Sequence, residues 1–225
     1  MKSEVFVMKY KNLMFDLDGT LTDPALGITN SIAYALRKMD IPVPPFEVLC
    51  RHIGPPLARS LSEHYDLTEE GGLHALALYR EYFGDRGIFE NKVYDGIPEL
   101  LSEMKAQGRR IYMATSKPEP YAIRIAEHFG FAKYFDRIAG STMTEERTRK
   151  ADVIAYLAAL DGFDPAEGTL MIGDREHDVL GAKEHGAPCA AVLYGYGSRE
   201  ELEGAGAEYI VNTVGELREL LLADK

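Results

Sequence analysis

A chain of 225 residues that is 46% hydrophobic can bury a full core, which excludes disorder as its dominant state and fits one moderate domain or a core with an insert. Lysine and arginine total 25 against 36 aspartate and glutamate, a net charge of -11 with no clustered basic tract, so the surface repels phosphate backbones and argues against a nucleic-acid polymer as partner. No apolar run approaches the ~20 residues of a membrane-spanning helix, and Cys50 and Cys189 lie among apolar neighbours without CxxC spacing, which reads as reduced packing residues of a cytoplasmic protein.

Met1–Lys11 holds short apolar runs between charges, and no secretory leader is expected there. The first buried strand is predicted at Leu13-Met14-Phe15. No buried strand follows from Thr22 to Lys92. Instead, Asp23-Pro24 caps a helix carrying Ile28, Ile32, Leu36 and Met39, a second helix runs from Leu57 through Leu61, and a third carries Leu73, Leu76 and Phe83. A crossover between parallel strands needs only about a dozen residues, so 22–92 is expected to be an inserted helical cap over the carboxyl ends of the strands, where open α/β sheets bind ligands.

Beyond the insert, helices and strands alternate. Ile97-Pro98 opens a helix with Leu100, Leu101 and Met104 that closes at Gly108, and Ile111-Tyr112-Met113-Ala114 is the next strand. Pro118 starts a helix ending at Gly130. Lys150 leads into Val153, Ile154, Leu157 and Leu160 before Gly162, and a strand follows at Leu170-Met171-Ile172. A helix from Asp178 closes at Gly186, and the last strands are Ala190–Leu193 and Tyr209–Val211. This alternation is the mark of an α/β fold with a parallel sheet flanked by helices. Residues 1–21 and 93–225 are expected to form that core.

The first strand runs into Asp16-Leu17-Asp18-Gly19-Thr20. Alternation along the chain aims Asp16 and Asp18 to one side, and Gly19 lets the backbone turn sharply. Two convergent carboxylates repel each other unless a cation or a shared proton relieves them. Mg²⁺ takes oxygen ligands and accompanies phosphates, which makes it the natural partner. For an Asp-x-Asp pair taken alone, an acidic turn after a strand is the more ordinary reading.

With its Gly19-Thr20 extension, the segment Leu13–Asp23 resembles the first motif of the haloacid dehalogenase superfamily. Three further segments are similar to that family's motifs in order: Ile111–Pro118, a strand ending at the Thr115 hydroxyl; Lys150 at a helix start; and Gly173-Asp174-Arg175-Glu176-His177-Asp178, with the GDxxxD spacing. The resemblance implies a Rossmann-like parallel core with an inserted α-helical cap, and hydrolysis of a small phosphate monoester through an aspartyl-phosphate. It assigns Asp16 as nucleophile and Asp18 as general acid and base. Mg²⁺ would be held by Asp16, the Asp18 main-chain carbonyl and Asp174, with Asp178 supporting. Lys150, Thr115 and main-chain N–H groups near Gly19 and Ser116 would offset the phosphoryl charge.

Ser116 departs from the Asn common in the phosphoglycolate phosphatase branch. A Lys at a helix start opposes the helix dipole, so Lys150 takes its role from the motif order alone. His177 is read as a surface residue or as one supporting the site from behind its ligands, and the histidines show no paired spacing that would hold zinc. Arg51-His52-Ile53-Gly54-Pro55-Pro56-Leu57 resembles the specificity loop of phosphoglycolate phosphatase-like and 5'-nucleotidase-like members, which makes Arg51 and His52 candidates for the leaving group; Arg59 or a plain helix-connecting turn are the competing explanations. The expected enzyme is a phosphoric monoester hydrolase, monomeric or homodimeric, acting on a small phosphorylated metabolite, with a cap hinged near Thr22 and Lys92. The alternatives are a β-phosphoglucomutase-like phosphomutase and a non-catalytic binding protein. A dehalogenase is disfavoured, because those relatives lack an acid at the position of Asp18.

Overall fold

In the computed structural model of the chain, which describes residues 8–54, 57–144 and 146–223, the apolar run ahead of Asp16 forms β1 (Asn12–Phe15), buried along its whole length. Residues 1–7 of the segment read as leader-free, and Pro55 and Pro56 of the loop read as a turn, lie outside the described residues. The elements that follow are β2 (Thr22–Asp23), α1 (Ala25–Lys38), α2 (Phe46–Leu49), α3 (Leu57–His64), α4 (Glu69–Asp85), β3 (Lys92–Val93), α5 (Ile97–Ala106), β4 (Arg110–Pro118) and α6 (Glu119–His128). The chain continues with β5 (Arg137–Ser141), α7 (Lys150–Asp161), β6 (Thr169–Gly173), α8 (Glu176–Glu184), β7 (Cys189–Val192), α9 (Arg199–Ala205), β8 (Tyr209–Val211) and α10 (Val214–Ala223). They fall into two compact units, one built from the segments up to Leu21 and from Tyr94 onward, the other from Thr22–Val93.

The first unit carries a six-stranded sheet in the order β5-β4-β1-β6-β7-β8, parallel throughout. Strands covered on both faces read as unbroken apolar runs, which is why Leu13–Phe15, Ile111–Ala114 and Leu170–Ile172 are legible as strands. Met14, Tyr112, Met171, Val153, Ile154, Leu157 and Val179 meet in one core, and Tyr112 stacks on Phe163 with ring centroids 4.9 Å apart. The chain leaves β1 for β4 on one side and reaches β6 on the other, and Phe15 is in register with both Met113 and Ile172. The carboxyl ends of these three strands therefore lie side by side at the point where the strand order reverses, the place where open α/β sheets form sites.

β2, β3, α2, α9 and α10 add to the expected elements, and two strands of the main sheet depart from them as well. β5 is an addition to them: Arg137-Ile138-Ala139-Gly140-Ser141 carries only two apolar side chains and lies at the sheet edge, where one neighbour suffices. β4 continues past its apolar run to Pro118, and its pairing with β5 shifts register between Ala114 and Pro118. Leu73 and Leu160, read as core positions of their helices, are 53% and 47% exposed.

Arg109 is the unexpected buried charge of this unit, at 2% exposure. Its Nη1 donates to the Tyr10 carbonyl at 2.8 Å and its Nη2 to the Leu221 carbonyl at 2.6 Å, tying the start of β4 to the segment before β1 and to α10. Arg109→Met should lower stability by about 3 kcal/mol, because two buried carbonyls lose charged donors. A fall in the denaturant midpoint at constant slope would show it.

The second unit is helical apart from the antiparallel β2–β3 pair, which joins Thr22 to Val93 and Asp23 to Lys92. Asp23 Oδ1 accepts from the Ala25 N–H at 3.0 Å and opens α1. Thr68 caps α4 by accepting from the Gly71 N–H. α1 packs on α4 and α4 on α3, burying Ile28, Ile32, Leu36, Leu61, Leu76 and Phe83.

Candidate active site

Asp16 stands one residue beyond β1, and its N–H donates to the Ile172 carbonyl at 2.9 Å, so the ladder with β6 fixes its backbone. Lys150 opens α7 and is 4% exposed. Its ammonium lies 2.8 Å from Asp16 Oδ1 and 2.8 Å from Asp178 Oδ1, and donates to the Ala114 carbonyl at 2.7 Å. Burial pulls the Lys150 pKa down, but the two carboxylates more than reverse this, so it is raised and the side chain stays an ammonium. The opposition of a cation to a helix start is thus offset by two ion pairs from other elements.

Asp174 follows β6 and Asp178 lies in the first turn of α8; both are buried. Asp174 Oδ2 accepts from the Tyr196 N–H at 2.8 Å and its Oδ1 from the Thr20 hydroxyl at 3.4 Å. Asp178 Oδ2 accepts from the Arg175 N–H at 3.1 Å. Burial raises the pKa of both, Asp174 well above the usual carboxylate range, and repulsion from Asp16 adds to it; Lys150 opposes the rise at Asp178. Carboxylate oxygens of Asp16, Asp174 and Asp178 all lie within 4.8 Å of one another. This all-oxygen set, crowded with negative charge that one lysine cannot neutralise, fits a hard divalent cation such as Mg²⁺.

Gly19 has φ +82°, and a Cβ there would lie 2.1 Å from Asp174 Oδ2. Only glycine permits both that backbone and the close approach of Asp174. The Asp18 side chain stands apart from the three acids: its Oδ2 lies 2.6 Å from Lys117 Nζ, while its Oδ1 is buried without a hydrogen-bond partner among the described residues. Burial raises the Asp18 pKa and repulsion from Asp16 adds to it, with Lys117 and Lys150 opposing. A carboxyl held toward its protonated form is suited to donating a proton.

Thr115 is 2% exposed near the end of β4, and its hydroxyl accepts from the Lys117 N–H at 3.2 Å. Ser116 is partly buried beside it, and His177 is exposed. Arg51 and His52 belong to the helical unit. Arg51 is exposed, whereas His52 is 3% exposed, with Nδ1 2.7 Å from the Ser60 hydroxyl and its ring 5.2 Å from His64 and 5.9 Å from Tyr65. Of the two, Arg51 alone is displayed at the surface, and His52 packs inside.

Burial, helped by the nearby His64, depresses the His52 pKa to about 4 from an ordinary 6.5. The unfolded chain then binds a proton that the folded one refuses, so stability present above pH 6.5 is lost as pH falls toward 4. The expected loss is about 1.4 kcal/mol per pH unit within that window. Denaturant melts of wild type and His52→Gln at pH 7 and 5 should differ by that slope.

Thr20 and Lys117 lie inside the first two motifs without an assigned role there, and the Tyr196 N–H lies outside all four; all three belong to this site. Lys117 carries a signal, a cation two residues after Thr115. Tyr196 carries none, because its contribution is a main-chain donor from the loop after β7.

A family model described as haloacid dehalogenase-like hydrolase matches residues 13–192. A 5'-nucleotidase of Pseudomonas aeruginosa is 43% identical over 95% of this chain and 96% of its own. The tyrosine-protein kinase PtkA of Mycobacterium tuberculosis is 39% identical over 93% of this chain and 72% of its own. Among solved structures, a predicted phosphatase from Clostridium acetobutylicum is 48% identical with a TM-score of 0.91, covering 95% of this chain and 99% of that one. The motifs, the parallel sheet and these likenesses agree, and the chain belongs to the haloacid dehalogenase-like hydrolase family.

Proposed function

We propose that the chain is a Mg²⁺-dependent phosphatase that passes the phosphoryl group of a small monoester through Asp16 to water. The observation that carries this reading is the double pairing of buried Lys150, 2.8 Å from Asp16 and 2.8 Å from Asp178, beside the buried carboxylate of Asp174. Lys150 fixes one oxygen of Asp16, which leaves the other to attack phosphorus. As the new O–P bond forms, the ester P–O bond breaks and Asp18 gives its proton to the departing oxygen. Asp18 then takes a proton from water, whose oxygen bonds to phosphorus and displaces the Asp16 carboxylate. Thr115 and the N–H groups of Ser116 and Gly19 would bind the phosphoryl oxygens. Mg²⁺, with Asp16, Asp174 and the Asp18 carbonyl as its ligands, would supply neutralisation of the phosphoryl charge. Asp178, whose Oδ1 lies 2.8 Å from the ammonium, acts through Lys150.

Exposed Arg51 of the helical unit is offered as a cation for an anionic or polar substrate group. The 43% identity to a 5'-nucleotidase favours nucleoside monophosphates as the first substrates to try, and the loop around Arg51 adds phosphoglycolate. A second reading draws on the relative named as a tyrosine-protein kinase: the same aspartyl-phosphate would be handed to a tyrosine hydroxyl in place of water. Free Cys50 and Cys189 suit a reducing cytoplasm, and among the described residues no helix is long and apolar enough to cross a membrane.

A panel of nucleoside monophosphates, phosphoglycolate and sugar phosphates, assayed with Mg²⁺ and with EDTA, tests the reading. Phosphate release that depends on Mg²⁺ is the expected outcome. Transfer to a tyrosine peptide or isomerisation of a sugar phosphate, without release to water, would contradict it.

A further inference from the structure

We infer that Lys117 is a positioning residue for the reaction, anchoring one oxygen of Asp18 so that the other faces the leaving group; this rests on the reading of Asp18 as the general acid. The pair is close and withdrawn from solvent: Lys117 Nζ lies 2.6 Å from Asp18 Oδ2, with side chains 6% and 17% exposed. A charge-assisted bond in such surroundings holds its geometry far better than one in water. It engages Oδ2 only. Oδ1 is buried and takes no hydrogen bond from the described residues, which suits the oxygen that carries a proton to a substrate.

Lys117 reaches Asp18 through a feature of the backbone. As β5 advances from Ala139 to Ser141, β4 advances from Ala114 to Pro118, so β4 carries two extra residues at its carboxyl end. Such bulges re-aim side chains and recur beside active sites. β5 accommodates this one with a glycine: a Cβ on Gly140 would lie 2.4 Å from the Lys117 carbonyl oxygen and 2.8 Å from the Glu119 nitrogen. The Gly140 N–H donates to Glu119 Oε2 at 3.2 Å, and Arg147 Nε donates to the Gly140 carbonyl at 2.9 Å. The bulge is thereby fastened to both α6 and the segment before α7. The Lys117 N–H also donates to the Thr115 hydroxyl, so one turn sets both the phosphate-facing hydroxyl and the lysine.

The two buried cations of the site divide the work. Lys150 is engaged by Asp16, Asp178 and the Ala114 carbonyl, while Lys117 serves Asp18. Losing Lys117 should therefore weaken protonation of the leaving group and leave attack by Asp16 largely intact.

Esters with different leaving groups test this. Dinitrophenyl phosphate releases an anion that needs no proton, whereas an alkyl phosphate such as a nucleoside 5'-monophosphate does, and kcat/KM reports the steps up to the first irreversible one. Lys117→Met should lose ~50-fold in kcat/KM on the alkyl ester and less than ~5-fold on dinitrophenyl phosphate, with Lys117→Arg regaining much of the difference. Lys117→Gln gives the same comparison if the Met variant does not fold. Equal losses on the two esters, or no loss on either, would overturn the inference. Asp18→Asn separates it from the reading beneath: if that variant also loses equally on both esters, Asp18 is not the acid and the reading itself falls. A split for Asp18→Asn with none for Lys117→Met defeats only the role of Lys117.

Discussion

Asp16→Asn is expected to lower kcat by on the order of 10⁴-fold or more while leaving a folded protein. The amide keeps the size of the carboxylate but is a poor nucleophile toward phosphorus, so the two-step route closes and residual turnover has only binding and charge neutralisation to draw on. Stability should change little, because two effects oppose each other. Lys150 loses one ion-pair partner at 2.8 Å, and one negative charge leaves a cluster whose carboxylates lie within 4.8 Å. Steady-state rates with a nucleoside monophosphate, together with a thermal melt, check both halves. Activity within about tenfold of wild type in a preparation free of other phosphatases would remove Asp16 from the mechanism.

Lys150→Met carries the second large expectation, and here catalysis and stability fall together. The variant keeps the length of the side chain but leaves Asp16, Asp174 and Asp178 without the ammonium that pairs with two of them. Breaking a buried ion pair by removing one partner costs about 3–5 kcal/mol, because the remaining charge stays desolvated. The loss should be greatest in EDTA and should shrink as Mg²⁺ is added, since a ligand that binds only the folded state stabilises it by mass action, and the variant, with no ammonium competing for Asp16, binds the cation more tightly. Turnover should fall by roughly 10³-fold, the cost of removing a preorganised group that stabilises charge. Denaturant titrations of wild type and variant, with and without Mg²⁺, read the stability half. A variant as stable as wild type in EDTA would mean that the buried carboxylates are already protonated and that Lys150 neutralises nothing.

Most of the sheet can be read from the chain because its strands are covered on both faces, and burial leaves the unbroken apolar runs Leu13–Phe15 and Leu170–Ile172 as its record. β5 leaves no such record. An edge strand needs apolar cover on fewer sides, and Arg137 and Gly140 toward its two ends hide it. The site residues divide the same way. Asp16, Asp174 and Lys150 carry motif spacing, so they can be named from the chain, but their mutual distances cannot. That Asp178 pairs with Lys150, or that His52 of the loop with Arg51 is buried against Ser60, follows from packing between segments far apart or out of phase with any repeat. Lys117 shows the limit most clearly. It sits inside a recognised motif, yet its direction is set by a bulge that depends on a glycine in the strand the sequence did not disclose.

If phosphate leaves by way of Asp16, the covalent intermediate can be trapped. Enzyme mixed with substrate and Mg²⁺, quenched in acid and reduced with borohydride, should yield a peptide in which Asp16 has become homoserine, and the conversion should vanish when substrate or Mg²⁺ is omitted. Steady phosphate release with Asp16 unconverted, or with another residue converted in its place, would contradict the account.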